Sequence, residues 1–316
     1  MKISAQERDL STNSLSTTPR TVLVSGASGL VGSALCERLG AQGHQVRSLG
    51  RSKSTDAQWN PTQGQIDTET LGLPDQVVHL AGENIASGRW NATRMAAIKD
   101  SRVQGTRLLC ETLAGLRRRP DTLVCASAIG FYGDRPGEEL DEESALGQGF
   151  LPEVCSEWEQ ATAPARDAGI RVVQLRIGVV LAKNGGALAK MLLPFKMGVG
   201  GNLGNGRQDM SWIGLTDLVR SIEHCLNDDS LNGPVNAVAP APATNADFTA
   251  ALGRVLRRPT IFPVPAPMAR LALGRMADEL LLASTRVRPR RLFESGFRFE
   301  HPDLDSALRH ELGVGS

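Results

Sequence analysis

The stretch Val22-Leu23-Val24-Ser25-Gly26-Ala27-Ser28-Gly29-Leu30-Val31-Gly32 decides the fold, because an apolar run leads into three glycines and then into a second apolar run. This pattern predicts a strand, a sharp turn and a helix from about Leu30 to Leu39. Gly26 and Gly29 would form the turn, and Gly32 would let the helix pack closely on the strand. Unpaired amides at the start of that helix would attract a phosphate.

A glycine triplet alone also fits an ordinary strand-to-helix loop. Its position between a predicted strand and a predicted helix favours a dinucleotide-binding turn instead. We therefore expect Gly26, Ser28, Gly29, Leu30 and Gly32 to bind a dinucleotide.

The end of the next predicted strand, Gln45 to Gly50, indicates which dinucleotide binds. Gly50 is followed by Arg51, Ser52 and Lys53, with no carboxylate before Asp56. An acidic residue at this place binds the ribose hydroxyls of NAD, whereas a basic residue accommodates the additional phosphate of NADP. A solvated basic loop is the alternative interpretation. We favour NADP, with Gly50, Arg51 and Ser52 in the site.

Composition is that of a soluble enzyme. The chain has 316 residues, 41% of them hydrophobic, and a formal net charge of +1. Near-neutral charge gives no reason to expect nucleic acid or a membrane surface as partner. Five cysteines without paired spacing argue against a disulfide framework and against a metal site. Residues 1–20 are polar and include Glu7 and Asp9, so we interpret them as a disordered tail of a cytoplasmic protein.

Strand and helix patterns alternate along the chain, as an α/β fold with a Rossmann-type, doubly wound parallel sheet requires. The later predicted elements are a strand at Val77–Gly82, a helix from about Asn91 to Arg117, a strand at Thr122–Ser127, a helix from about Pro152 to Ala168 and a strand at Val172–Ile177.

Two domains are expected after the tail. Residues 21–182 would form the NADP-binding domain. Residues 183–316 would be mainly a smaller C-terminal substrate lobe and an appended segment, with the helix near 217–226 returning to the sheet. The proline cluster Pro263, Pro265 and Pro267 fits such a lobe.

Short motifs in a fixed order resemble the extended short-chain dehydrogenase/reductases, and more narrowly an atypical epimerase-like subfamily that ends in a domain of unknown function. The resemblance covers roughly Thr21 to the C-terminus. Its marks include Leu80-Ala81-Gly82-Glu83-Asn84, Arg89-Trp90, Val103-Gln104-Gly105-Thr106, Tyr132-Gly133, Trp158-Glu159, Leu175-Arg176, Leu193-Pro194-Phe195, Trp212-Ile213 and Gly296-Phe297. The resemblance implies that Leu80, Ala81, Gly82 and Val180 contact the cofactor, and that Arg102 contacts a cofactor phosphate.

The chain departs from the superfamily at the catalytic pair. The superfamily uses a Tyr with a Lys four residues later, whose ammonium lowers the pKa of the phenol. Aligned through Glu159, those places hold Leu151 and Cys155. Neither can replace the pair, because leucine has no proton to give and a thiol carries no fixed positive charge.

Four other residues are candidates for proton transfer. Ser127 and Tyr132 follow one predicted strand, and Glu83 follows another, so all three should lie at the edge where ligands bind. Lys99 lies on the same helical face as Arg102. Each also has a plain structural interpretation: a loop-capping hydroxyl for Ser127, helix capping for Glu83 and a solvated basic face for Lys99.

The chain also departs from the related epimerases at a residue that binds their substrate. Related sugar-nucleotide epimerases place an Arg in the late lobe to neutralise the diphosphate, and that place holds Met210. Asn84, Arg207 and Trp212 are the remaining candidates for substrate contact.

We therefore expect an NADP-dependent oxidoreductase that acts on a small carbonyl or hydroxyl substrate. A nucleoside-diphosphate-sugar epimerase and a non-catalytic NADP-binding sensor or scaffold are the alternatives. No metal is expected, and a homodimer is an open possibility.

Overall fold

The structure, a computed structural model, describes residues 18–315. Residues 1–17, most of the segment that we interpret as a disordered tail, lie outside the described residues. The strands are β1 (Thr21–Ser25), β2 (Gln45–Gly50), β3 (Ala57–Asn60), β4 (Gln65–Ile66), β5 (Gln76–His79), β6 (Thr122–Ala128), β7 (Glu139–Leu140), β8 (Arg171–Ile177), β9 (Val179–Ala182), β10 (Asp209–Met210), β11 (Trp212–Gly214), β12 (Gly233–Ala237), β13 (Ala243–Thr244) and β14 (Arg286–Val287).

The α-helices alternate with these strands through the first two thirds of the chain. They are α1 (Leu30–Ala41), α2 (Thr68–Leu71), α3 (Ala92–Ala114), α4 (Phe150–Gln160), α5 (Ala163–Asp167), α6 (Gly186–Lys196), α7 (Leu215–Asn227), α8 (Asn245–Leu256), α9 (Ala266–Leu273), α10 (Arg290–Glu294) and α11 (Leu304–Leu312). Short 3₁₀ helices follow β3 and β6, and a π-helical segment spans Ala277–Leu282.

The main sheet has the strand order β12-β8-β6-β5-β1-β2-β3-β4. All its strands are parallel except the short β4, which pairs antiparallel with β3. The chain moves outward from β1 in both directions, which confirms the Rossmann-type fold predicted from the sequence. Because the strands are parallel, their carboxyl ends form a single edge, here called the carboxyl edge.

Buried apolar residues cover both faces of this sheet. One core contains Val22 and Val24 with residues of α1 and α7, and the other contains Leu23 and Val77 with residues of α3. Successive β1 side chains thus point to opposite faces, as expected for a strand buried on both sides.

The predicted helix from Pro152 to Ala168 is two helices. It breaks after Gln160, and Pro164 lies in the first turn of the second helix, α5. Proline has no amide hydrogen and cannot continue the bonding of the first helix, so the chain restarts there. The helix predicted to end at Arg117 ends at Ala114, with Gly115 as its cap.

Late elements divide between the sheet and a smaller lobe. Helix α7 packs on α1 and β12 pairs with β8 at the sheet edge, whereas α6, α8 and α11 enclose a separate core around Trp212. Strand β14 pairs with β7 and so connects the C-terminal segment to the loop that follows β6. No helix among residues 18–315 combines the length and the apolar character needed to cross a membrane.

Candidate functional site

The glycine turn between β1 and α1 requires glycine at two positions. Gly26 has a φ of 71°, and a Cβ there would lie 2.9 Å from the carbonyl carbon of Leu80. A Cβ on Gly32 would lie 2.1 Å from the carbonyl oxygen of Gly26. The loop after β1 and the first turn of α1 therefore pack so closely that only glycine fits at these two positions.

The start of α1 has no internal partner for its first amides. Its N-cap is Gly29, which offers no capping side chain, and the first turn contains no acidic residue. Ser28 and Gly29 are exposed beside it. Uncapped amides and the positive end of the helix dipole together favour an anionic ligand at this place.

Arg51 lies directly after β2 and is exposed, as are Ser52 and Lys53. It borders a shallow cavity of about 520 Å³ lined by Arg51, Gln58, Trp59, Asn60, Thr62, Gln65 and Asp67. The Asp56 carboxylate in the same loop accepts hydrogen bonds from the backbone amide and the hydroxyl of Ser48, both at 2.7 Å. These bonds hold the pKa of Asp56 below its usual value, so it stays charged but bonded to Ser48. Arg51 and Lys53 form no ion pair among residues 18–315 and face the solvent.

The end of β5 lies next to the glycine turn. The hydroxyl of Ser25 accepts hydrogen bonds from the amides of Leu80 and Ala81, which fixes the end of β5 against the end of β1. Gly82 and Asn84 are exposed beyond it. The Glu83 carboxylate, partly exposed, pairs with the Arg94 guanidinium at 2.8 Å. This region brings together the predicted cofactor residues that follow β5.

Leu151 and Cys155 reach the carboxyl edge at the end of β6. A Cβ on Gly130 would lie 3.3 Å from Cβ of Leu151 and 3.7 Å from Sγ of Cys155. Burial raises the pKa of the Cys155 thiol to about 12. Leu151 packs with Trp90, Phe150 and Met276 in an apolar cluster. The two positions therefore face this edge but offer no proton near neutral pH.

A buried network of hydrogen bonds joins β6, α4, β8 and β12. The Arg176 guanidinium donates two parallel hydrogen bonds to the Glu159 carboxylate, each 2.8 Å long. The Ser127 hydroxyl donates to the same carboxylate at 2.7 Å. Arg176 also donates to the Tyr132 hydroxyl, which in turn donates to Oδ1 of Asn236. Every member of this network has a partner.

This network changes the location expected for Tyr132. The sequence predicts a loop residue at the ligand edge, whereas Tyr132 ends a 3₁₀ helix and is fully buried. Burial raises its pKa to about 12, so the phenol stays protonated and engaged with Arg176 and Asn236. Ser127 is likewise buried, with its proton directed to Glu159. The structure gives both residues a packing role that the sequence does not reveal.

The other predicted site residues are more scattered. Lys99 is partly exposed and pairs with Glu157 at 2.7 Å, which raises its pKa. Arg207 is an exposed loop residue. Trp212 is fully buried in the core of the smaller lobe, with its indole N–H on the carbonyl of Ala241, so its side chain is not a surface that a substrate reaches. Val180 lies on β9, which pairs with β11.

Sequence reasoning missed two features of this edge. Glu159 and Arg176 were recognised only as family marks, although an arginine inside an apolar strand such as β8 itself indicates a buried counter-charge. Glu279 is the other feature: its carboxylate accepts from the amides of Phe150 and Leu151 and so attaches the C-terminal segment to the start of α4. No local pattern connects residues 128 positions apart.

A candidate metal centre is not found among residues 18–315, where no group of three His, Cys, Asp or Glu side chains is arranged to hold an ion. The cations described above carry the electrostatics of the site.

Comparison with known proteins agrees with this architecture. The sequence model of the NAD dependent epimerase/dehydratase family matches residues 22–237, and a domain of unknown function, DUF1731, matches residues 264–311. The epimerase family protein Mb2239 of Mycobacterium bovis is 43% identical over 290 residues, which are 91% of this chain and 96% of that protein.

Two solved structures are also similar. The crystal structure of the human epimerase family protein SDR39U1, isoform 2, with NADPH has a TM-score of 0.86 and 34% identity, and it covers 93% of this chain and 99% of that chain. The nucleoside-diphosphate sugar epimerase from Corynebacterium glutamicum has a TM-score of 0.77 and 38% identity, over 94% of this chain and 59% of that chain. On these matches, the chain belongs to the NAD dependent epimerase/dehydratase family and carries a C-terminal DUF1731 domain.

Proposed function

We propose that this protein is an NADP-dependent oxidoreductase that acts on a small carbonyl or hydroxyl compound. The observation that carries the proposal is the pairing of an uncapped α1 start with an exposed Arg51 after β2. The first feature suits a diphosphate, and the second suits the additional phosphate on the adenosine ribose. The human relative crystallised with NADPH supports the same cofactor.

The residues present fit this cofactor. The amides that begin α1 would hold the diphosphate, because Gly26 and Gly32 keep side chains out of the turn. Arg51 would bind the 2′-phosphate through bidentate hydrogen bonds, with Ser52 and Lys53 beside it. When bound, NADPH supplies a hydride from its nicotinamide ring.

Among the residues proposed for proton transfer, Glu83 is the best placed. It lies at the carboxyl edge just beyond β5, and its carboxylate is partly exposed, whereas Ser127 and Tyr132 are buried in the network. We assign Glu83 the role of acceptor of the hydroxyl proton when the substrate is oxidised, and of donor of that proton when the carbonyl is reduced with the hydride of NADPH, with Arg94 holding its carboxylate in place. Lys99, engaged by Glu157, has the weaker claim.

A non-catalytic NADP-binding protein is the second candidate function. It is favoured by one specific observation: the two positions at the end of β6 where the superfamily carries its proton donor and cation hold Leu151 and Cys155. A sugar-nucleotide epimerase is less well supported, since Met210 occupies the place of the diphosphate-binding Arg. Met210 lies on β10 and pairs with Ala243 on β13.

Cofactor titration tests the proposal. NADPH and NADH would be titrated into the purified protein and followed by nicotinamide fluorescence. We expect tighter binding of NADPH, and we expect Arg51→Glu to weaken NADPH by about 10- to 100-fold while leaving NADH little changed. Lys53→Glu, with the same change of charge two residues away, is the matched control and should have the smaller effect.

Equal affinity for the two dinucleotides, or an unaltered preference in Arg51→Glu, would overturn the proposal. Oxidation of NADPH with a panel of aldehydes and ketones then separates the two candidate functions. Turnover that falls in Glu83→Gln supports the oxidoreductase, and tight binding without turnover supports the sensor.

A further inference from the structure

Arg102 on α3 places a guanidinium at the carboxyl edge between β5 and β6. Its Nη1 donates to the carbonyls of Glu83 and Ile98 at 3.1 and 3.0 Å. Its Cζ would lie 3.5 Å from a Cβ on Gly82, and it lies 5.1 Å from the ring centroid of Trp158. The backbone after β5 and the indole thus hold this side chain in one position.

Arg102 forms no ion pair in the part of the chain that the structure describes, although the charge of Glu83 acts on it from a greater distance. Among residues 18–315 no carboxylate lies within 4.0 Å of it, and only Nη1 is hydrogen-bonded. A guanidinium has five N–H groups, so those on Nε and Nη2 remain available. Among residues 18–315, the fully buried side-chain atoms without a partner are Nε of Arg94 and Oε2 of Glu142. Nε and Nη2 of Arg102 are not among them, so these two atoms keep some exposure to solvent.

Partial burial without a counter-charge is unfavourable for a cation. Burial lowers the pKa of Arg102 from its usual value, although a guanidinium stays charged at any physiological pH. A group held in this way, with three N–H groups that make no hydrogen bond within residues 18–315, suits a polar ligand that supplies acceptors.

The strand order indicates which half of a bound dinucleotide would lie near Arg102. Strands β2 and β5 pair with opposite sides of β1, so Arg51 and Gly82 lie on opposite sides of the glycine turn. The two positions are separated by two strand spacings, about 10 Å. With the 2′-phosphate at Arg51 and the diphosphate at the start of α1, the other half of the molecule extends over β5 and β6.

Cys155 on α4 also lies beside the end of β6. Its Sγ adjoins Gly130 after β6, and the charge of Arg102 acts on it to lower the thiol pKa, against the larger effect of burial. The guanidinium therefore lies near the position at which the superfamily carries its lysine.

We propose that Arg102 binds the hydroxyls of the nicotinamide ribose through Nε and Nη2 and so supplies, from α3, the positive charge that Cys155 does not supply from α4. This inference rests on the proposed NADP binding. It differs from the sequence-based expectation that Arg102 contacts a cofactor phosphate, and the experiment below distinguishes the two contacts.

Three ligands that end at different points divide the cofactor into parts. NADPH contains both halves, 2′-phospho-ADP-ribose lacks only the nicotinamide ring, and 2′-phospho-ADP keeps both phosphates of the diphosphate but lacks the second ribose. We expect Arg102→Gln to weaken the first two by about 10- to 100-fold, the effect of losing hydrogen bonds from a charged donor. 2′-Phospho-ADP should bind Arg102→Gln as it binds the parent protein.

Two control variants define the pattern. Arg51→Gln should weaken all three ligands, since each carries the 2′-phosphate. Arg107→Gln removes an exposed arginine from the same helix and should weaken none. If Arg102→Gln fails to fold, Arg102→Lys keeps the charge with fewer donors, and we expect a smaller loss confined to the same two ligands.

An equal loss for all three ligands would show a phosphate contact and overturn the inference, as would no loss for any of them. Failure of the proposed function looks different, because the parent protein itself would then bind neither NADPH nor 2′-phospho-ADP.

Discussion

Two regions of the carboxyl edge use polar groups in opposite ways. Around the glycine turn and β2, amides at the start of α1 and the Arg51 guanidinium face solvent without partners from nearby side chains. Around β6 and α4, Ser127, Glu159 and Arg176 are buried and bonded to one another. The first region is arranged for a ligand, and the second is arranged for stability.

This contrast separates cofactor binding from reaction chemistry. Hydrogen-bond donors without protein partners can bind an anionic ligand. In the buried network the protons and charges are already paired with one another, so none is available to a ligand. Leu151 contributes to the second region by packing with Met276 of the C-terminal segment, where a tyrosine hydroxyl would need a polar partner. Between the two regions lie Arg102, with N–H groups that no residue of the described chain accepts, and Glu83, whose carboxylate is partly exposed.

The largest effect is expected from Glu159→Gln, which tests the stabilising region. It leaves Arg176 buried without its counter-charge, and we expect the free energy of unfolding to fall by about 3–5 kcal/mol. NADPH affinity of the folded protein should change little. Urea unfolding measures the first quantity, with Glu157→Gln as control, because its exposed pair with Lys99 contributes at most about 1 kcal/mol. Similar losses in the two variants would contradict the contrast.

Gly32→Ala tests the ligand-binding region and should have the next largest effect. Its Cβ would collide with the carbonyl oxygen of Gly26, so the turn must open and its amides move. We expect NADPH affinity to fall roughly 100-fold, equivalent to about 2.7 kcal/mol, by titration. Gly40→Ala, on the same helix where a Cβ meets nothing, should leave binding unchanged and stabilise α1 by up to about 1 kcal/mol. Unaltered binding in Gly32→Ala would show that the turn holds no diphosphate.

Tyr132→Phe has the smallest expected effect and sharpens the boundary between the regions. Without the hydroxyl, Asn236 loses a donor and Arg176 loses an acceptor, so we expect the free energy of unfolding to fall by about 1–2 kcal/mol. Turnover per folded molecule should persist, because the phenol does not face the ligand edge. A variant that keeps its stability and loses turnover would restore Tyr132 as a catalytic candidate.

Local pattern was enough to predict the ligand-binding region. The turn at Gly26 and Gly32, the strand ending at Gly50 and the exposed Arg51 all follow from short-range signals, because steric limits and the strand and helix periods act within a few residues. The same signals failed for α4 and α5, where one helix was predicted across a break near Pro164.

The stabilising region depends on residues that are distant in sequence. Tyr132 bonds to Asn236 across 104 positions, and Glu279 caps α4 from the C-terminal segment. Sequence alone placed Tyr132 correctly just after β6 but could not show that β8 and β12 would bury it, since burial is decided by the elements that pack around a residue.

By itself, the sequence determined the parallel α/β sheet, the glycine turn and the basic end of β2, since hard-sphere geometry and hydrophobic periodicity operate along the chain. Tertiary structure alone decided which polar groups bond to one another and which can still bind a ligand. Only when β6, α3, α4 and β8 come together does Glu159 neutralise Arg176 while Arg102 is left without a carboxylate, because pairing of charges depends on distance in space and not on separation in sequence.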